Sequence, residues 1–407
     1  MAENPQSSSS ARKRRVSLRV LVIGGISRSL LNFRGPLIRA MLDTGHEVWA
    51  CAGDLREDVV ETLKSWGVTF VRFHLARAGM RPWEDFKTFR DLQRLMGKVR
   101  PDAILAYTVK PVIYGGLAAR VCGVEKFFPM ITGLGYAFTP IASISHFAVA
   151  VAAKLLYRTV FFNSTGIFFQ NPDDLSLFLN GGYVTRRKAY LINGSGVDLD
   201  HYDIQNNRVD GATLNFLMVA RLIRDKGVRE YAEAGRRIRA KYPVTRLRLA
   251  GGLDSNPSSV SQIELEAWQE EGLVDYLGFM NDIRPAYADC SVFVLPSFYR
   301  EGLPRTILEA MATGRPIITT DAPGCRETVP VTERGKAQKA RGEAVMEGEN
   351  GFLVRVRDAR ALAEAMEMFV HRPDLIQMMG KRSREIAEEK FDVRKVNAVI
   401  LKTMGLT

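Results

Sequence analysis

Cysteine is scarce in this 407-residue chain: Cys51, Cys122, Cys290 and Cys325 lie far apart. They draw neither a metal-ligand spacing nor a disulfide framework, which fits a reducing compartment and leaves each to pack as a small apolar side chain. The sequence has no H-E-x-x-H, no G-x-x-x-x-G-K-[ST] and no G-x-S-x-G, so a zinc protease, a P-loop NTPase and a serine hydrolase lack their signatures. G-x-G-x-x-G is missing too, and a nicotinamide cofactor has little support. No metal site and no cofactor is expected. No apolar run is long enough to span a bilayer. Negative charge is in deficit: 45 Asp and Glu stand against 57 Lys and Arg, a net charge of +12. That excess favours a phosphate-bearing partner. With no nucleic-acid recognition motif present, no nucleic acid is expected, and a nucleotide or an anionic lipid surface remains.

Part of the basic charge lies at the start of the chain. Residues 1–16 are polar, with Ser7 to Ser10 followed by Arg12-Lys13-Arg14-Arg15. They read as a disordered basic tail suited to anionic lipid. The apolar stretch after it is too short, and too soon broken by glycines, for a signal peptide.

Beyond the tail, short apolar strands alternate with helix-like stretches. Strands are expected at Leu18–Ile23, Glu47–Cys51, Val68–Phe73, Ala103–Ala106, Phe127–Ile131 and Gly166–Gln170. The style repeats at Leu214–Val219, Leu247–Ala250, Val274–Leu277, Val292–Leu295 and Pro316–Thr319. Alternation of this kind argues for doubly wound parallel sheets, and the length argues for two of them. The link between them is expected from Gly194 to Gly211, rich in Gly, Asn and Asp. Ligands of such sheets sit beyond the carboxyl ends of the strands, so two facing sheets enclose a deep cleft.

The richest stretch is Ser297-Phe-Tyr-Arg-Glu301-Gly302-Leu303-Pro304-Arg305-Thr-Ile-Leu-Glu309. A buried strand runs in and a helix leads out, with Gly302 and Pro304 shaping the turn. The turn leaves free N–H groups at the helix start. One carboxylate lies on the loop and one in the first helical turns. Such a pair suits a sugar nucleotide, the loop acid holding sugar hydroxyls and the helix acid bridging a ribose. Arg221 and Lys226 follow directly on a strand end, where two cations can neutralise a diphosphate. Gly24-Gly25 after the first strand lets backbone amides approach a ligand closely. Two stretches stay open. Ala142–Phe162 is apolar, interrupted by His146, Lys154 and Arg158, and reads either as a core helix or as one lying in a lipid interface. Pro330–Glu347 is charged and reads as a mobile loop with no chemistry of its own.

With Gly24-Gly25, Gly194-Ser-Gly-Val-Asp198, Arg221 with Lys226-Gly227, Glu301 to Glu309, Asp321 to Thr328 and Glu349 to Val354 in place, the chain resembles a retaining family 4 glycosyltransferase of the GT-B fold. Asn32-Phe33-Arg34, Ile131-Thr-Gly133-Leu-Gly135 and Gly251 to Pro257 make it most similar to bacterial members that build polyprenyl-diphosphate-linked oligosaccharides. The resemblance implies a division into an acceptor-binding domain (17–200), a sugar-nucleotide-binding domain (201–385) and a terminal helix (386–407) packing back on the first. It implies that Glu309 holds the ribose of a UDP-sugar and that Glu301 holds sugar hydroxyls with the amides of Gly302 and Leu303, beside Pro304. Arg221 and Lys226 would bind the diphosphate, with Gly24 and Gly25 near it. Arg34, Lys110, Gly133 and Gly135 would serve a polyprenyl-diphosphate-linked acceptor on the cytoplasmic face of the membrane, with no metal. Relatives often place a histidine near the donor sugar, and none of the five here sits convincingly there; Tyr107 to Lys110 or the Gly133–Gly135 loop would replace it. The competing readings are a UDP-N-acetylglucosamine 2-epimerase on the same fold, a noncatalytic sugar-nucleotide-binding subunit, and a soluble-acceptor transferase, which would not need the apolar segment.

Overall fold

The computed structural model describes residues 17–76, 81–133, 144–204, 213–254 and 258–407. The basic tail and Gly135 lie outside them. The first sheet contains β1 (Arg19–Ile23), β2 (Glu47–Ala52), β3 (Thr69–Arg72), β4 (Ala103–Tyr107), β5 (Lys126–Ile131), β6 (Ile167–Phe169) and β7 (Ala189–Leu191), ordered β3-β2-β1-β4-β5-β6-β7 and parallel throughout. The second contains β8 (Asn215–Val219), β9 (Arg246–Ala250), β10 (Asp275–Gly278), β11 (Val292–Leu295), β12 (Ile317–Thr320), β13 (Val345–Glu347) and β14 (Gly351–Val354), ordered β10-β9-β8-β11-β12-β14-β13. Only β13 runs antiparallel, against β14. These are the two doubly wound domains that the alternation predicts.

The strands read as unbroken apolar runs because helices cover both faces of each sheet. In β1, Leu21 and Ile23 join one core, with Leu92, Phe127 and Phe161, while Val20 and Val22 join the other, with Leu37, Met41 and Val59. Order reverses between β1 and β4 in the first sheet and between β8 and β11 in the second. A crevice opens at each reversal, at the carboxyl ends of the strands. Gly24-Gly25 and Thr108 border the first, and Arg221 to Lys226 and the loop after β11 border the second.

The chain crosses between the domains twice. Val197 N–H donates to the Phe391 carbonyl at 2.8 Å, and Val393 N–H returns to the Val197 carbonyl at 3.0 Å. Gly196 has φ +70°, and a Cβ there would stand 2.6 Å from Val393 Cα, so the crossing strands can touch only at a glycine. Helix Val393–Met404 then lies on the first domain, sinking Val396, Ile400 and Met404 into its core.

The stretch Pro330–Glu347 is not the loop its charge suggested. Thr332 caps a helix, Glu333–Ala340, by accepting from Gly335 N–H at 3.1 Å, and β13 closes the sheet edge. The helix is polar because it lies outside the sheet edge. Lys339 reaches Asp321 at 2.8 Å from it, tying it to the loop after β12. Ala142–Phe162 does contain a helix, Ile144–Asn163.

Candidate active site between the domains

The site begins at a backbone carbonyl. Asp225 O accepts from Phe298 N–H at 2.9 Å, Tyr299 N–H at 3.0 Å and Ser297 Oγ at 3.2 Å. Those bonds stitch the loop after β11 to the turn Arg224–Lys226. Gly227 completes that turn at φ +77°, and any side chain there would collide with Pro296 O. The turn is thus pressed onto the end of β11, and Lys226 Nζ meets Glu301 Oε1 in direct contact. Both side chains are largely buried. Ser297 Oγ adds a bond to Glu301 Oε1 at 3.2 Å.

Glu309 stands one element further on, in helix Arg305–Ala312, with Pro304 as the residue before its first turn. It is only 6% exposed. Arg305 Nε lies 2.7 Å from its Oε1, and Tyr287 Oη donates to its Oε2 at 3.1 Å. Burial, together with the Glu309 charge, pushes the Tyr202 and Tyr287 hydroxyls well above the ordinary tyrosine range. The two carboxylates are therefore held differently: Glu301 by a lysine, Glu309 by an arginine and a tyrosine.

The first domain closes on this loop from the other side. Asn171 Nδ2 donates to Glu301 O at 2.9 Å and to Gly302 O at 3.2 Å, and Arg300 Nη2 donates to Asp174 Oδ1 at 3.1 Å. Gly302 is crowded by Gln170, with Thr132 O 3.0 Å from where a Cβ would be; Gly133 faces Arg300 O, and Gly194 faces Leu303. Arg326 pairs with Asp173 at 3.1 Å. Beside it, burial lifts Glu327 to about 7, with Asp173 adding to the effect against backbone N–H groups and Arg326.

Other expected residues are placed as follows. Arg221 is exposed and pairs with Asp254 at 3.0 Å. Gly24 packs so closely on Tyr107 that a side chain would collide with its hydroxyl, and Gly25 faces Thr108 Oγ1. Thr108 holds φ +68°, rare for a β-branched residue; such strain persists where the surroundings fix it and clusters at ligand sites. Lys110 pairs with Asp85 at 2.7 Å, and both side chains are largely buried. Arg34 is 2% exposed and lies at the hinge, donating to Ser195 Oγ at 3.0 Å with its guanidinium 4.9 Å from the Tyr107 ring centroid. Burial lowers it to about 10, partly opposed by Tyr107. His46 is occupied by Leu18 N–H and Leu406 O, and His74 by Glu84, so neither stands at the loop. Sequence reasoning missed Asn171, Asp174, Arg305 and Tyr287. The run Asn171-Pro-Asp-Asp174 signals a capped helix start and nothing more.

Residues 32–171 match the family Glycosyl transferase 4-like, and residues 213–372 match Glycosyl transferases group 1. The N,N'-diacetylbacillosaminyl-diphospho-undecaprenol alpha-1,3-N-acetylgalactosaminyltransferase of Campylobacter jejuni is 26% identical over 91% of this chain and 94% of its own length. The UDP-Gal:alpha-D-GlcNAc-diphosphoundecaprenol alpha-1,3-galactosyltransferase of Escherichia coli is 25% identical over 77% of each. Among solved structures, Anabaena Alr3699/HepE in complex with UDP and glucose superposes with a TM-score of 0.71 at 17% identity, covering 95% of this chain and 99% of that one. The chain is a glycosyltransferase of the GT-B fold, with a glycosyltransferase 4-like first domain and a group 1 second domain.

Proposed function

We propose that this enzyme moves a hexose or N-acetylhexosamine from a UDP-sugar to a polyprenyl-diphosphate-linked sugar, with retention of configuration and without a metal, in bacterial glycan assembly. The convergence of Lys226, Glu301 and Glu309 around one loop supports this reading best. Two relatives that carry diphosphoundecaprenol in their names support the acceptor class.

In this reading Glu309 accepts both ribose hydroxyls. A diphosphate is a stronger anion than a carboxylate and takes Lys226 from Glu301. Glu301 is thereby released to the sugar hydroxyls beside the N–H groups of Gly302 and Leu303. Lys226, with Arg221 at the rim, stabilises the departing UDP. A phosphate oxygen of that UDP takes the acceptor proton, so no strong protein base is required. The acceptor approaches from the first domain at a membrane surface, where the enzyme binds peripherally. No helix among the described residues is long and apolar enough to cross a membrane.

The test is a transfer assay with purified protein, a panel of UDP-hexoses and UDP-N-acetylhexosamines, polyprenyl-diphosphate sugars and EDTA throughout, with Glu309→Ala as control. A lipid-linked product that requires Glu309 and survives EDTA is expected, and its anomeric configuration reads out retention. UDP release without lipid product would leave the donor half and sink the acceptor.

A further inference from the structure

The N–H groups of Gly302 and Leu303 have no hydrogen-bond partner among the described residues, although Gly302 is buried and Leu303 half-buried. Buried amides without a partner are costly, and they mark a place where a ligand is expected to accept. What aims them is not in their own domain. In a trans peptide the carbonyl and the N–H of the same plane point in opposite directions, and there is no cis peptide bond among the described residues. The Glu301 carbonyl shares its plane with Gly302 N–H, and the Gly302 carbonyl shares its plane with Leu303 N–H. Asn171 Nδ2 holds both carbonyls, at 2.9 and 3.2 Å. One side-chain amide of the first domain thus turns both free N–H groups of the second domain away from itself.

Asn171 is itself held. Its Oδ1 accepts from Asp174 N–H at 2.7 Å, capping helix Pro172–Asn180, and its Nδ2, whose two protons are shared among three acceptors, also reaches Asp174 Oδ2 at 3.0 Å. Asp174 is buried and takes Arg300 Nη2 on its other oxygen at 3.1 Å, which grips the loop again one residue before Glu301. The amide cannot flip without losing its cap, because only Oδ1 accepts and only Nδ2 donates.

We propose that Asn171, braced by Asp174 and Arg300, is a positioning residue of the first domain that sets the direction of the Gly302 and Leu303 amides toward the donor sugar. The inference rests on the reading that these amides hold that sugar. Its consequence is that the donor subsite is complete only while the two domains touch along the Asn171–Gly302 contact. Sugar transfer depends on the contact, and binding of the nucleotide part, which uses Glu309 and Lys226, does not.

Asn171→Ser separates the two duties of the side chain. Serine remains a good N-cap for helix Pro172–Asn180, but it is too short to reach the loop carbonyls. Asn171→Asp is the second variant: it keeps a capping oxygen and presents an acceptor where two carbonyls need a donor. Calorimetric affinity for UDP, affinity for the UDP-sugar that the unaltered protein uses, and kcat with a lipid-linked acceptor are compared. Both variants are expected to keep UDP affinity within about twofold, lose the extra affinity contributed by the sugar, and lose kcat by at least about tenfold, short of the roughly hundredfold or more that complete removal of such a donor costs. Unchanged kcat in Asn171→Ser would overturn the inference. So would parallel loss of UDP and UDP-sugar affinity, the mark of a merely structural role. If the unaltered protein bound no UDP and transferred no sugar, the underlying donor reading would fail first and this inference with it.

Discussion

Glu301 and Glu309 carry the same charge and are expected to fail in opposite ways. Glu309 faces no lysine and is buried under Tyr287 and Arg305, so Glu309→Gln should remove an anionic acceptor from the ribose and weaken UDP binding by about tenfold or more, as for a lost charge-assisted hydrogen bond. Glu301 neutralises Lys226 directly, so Glu301→Gln should leave UDP affinity unchanged or tighter while transfer falls by at least about a hundredfold. Titration calorimetry beside turnover measurements separates the two; a joint fall in UDP affinity would contradict the assigned roles. Glu327 yields a stability prediction. Its carboxyl is lifted from an ordinary 4.5 to about 7, chiefly by burial. Between those values the folded chain keeps a proton that the unfolded chain has released, so the folded state binds more protons and stability falls as pH rises. The contribution is full below the ordinary value and is lost as pH passes through the raised one. Glu327→Gln should therefore resemble the parent in urea-midpoint measurements at pH 4.5 and exceed it at pH 8. An equal difference at both pH values would show that the carboxyl does not titrate in this window.

At the scale of elements, the loop from Ser297 to Pro304 is held from both domains, and glycine at 302 is what lets Gln170 and Thr132 approach it. A methyl group there would collide with Gln170 Oε1 and stand 3.0 Å from Thr132 O. The glutamine is a flexible end and can swing away, whereas the backbone carbonyl cannot. Gly302→Ala should lower transfer by about a hundredfold with an unchanged far-UV spectrum, and Gln170→Ala in the same chain should restore part of it; no recovery would mean that the collision is with the backbone alone. The elements of this site were legible to very different degrees. The eleven strands expected lie within a residue of those found, because most carry a clear apolar run, whereas β7, β13 and β14 were not expected. The loop and its two acids stood out because Gly-Leu-Pro directly follows such a run. Three features were hidden by distance along the chain. The Lys110–Asp85 pair joins two different helices. Ser195 and Tyr107 surround Arg34, and nothing local to it announces either. The grip of Asn171 on Glu301 joins residues of different domains. The stretch Pro330–Glu347 failed for another reason: its helix and edge strand are short and solvent-facing, so composition resembles that of a loop.

At the scale of the whole molecule, large apolar side chains stand exposed on two helices of the first domain. Helices Pro82–Val99 and Ile144–Asn163 both pack on helix Val109–Val121, over the same core of the first domain. Trp83 is 70% exposed and stacked on the exposed Phe86, while Phe162 is 80% and Leu155 61% exposed on the neighbouring helix. Such residues are costly in water and suited to a headgroup boundary. Lys188 lies against Phe162, its Nζ 6.0 Å from the ring centroid. In the proposed reading a lipid-linked acceptor is met at a membrane, and the net charge of +12 would give a long-range attraction to anionic lipid. The two contributions differ in their response to salt. Screening shortens to about 8 Å at physiological ionic strength and about 3 Å at 1 M, which weakens the charge but not the apolar contact. Co-sedimentation with vesicles containing anionic lipid should therefore fall as salt rises and reach a plateau above zero. The paired substitution Trp83→Ala with Phe86→Ala, or Leu155→Ala with Phe162→Ala, should lower that plateau by about tenfold while leaving turnover on a short-chain, detergent-soluble acceptor intact. Full recovery of the parent in the supernatant at low salt would remove the membrane from this picture, and the enzyme would then have to take its acceptor from solution.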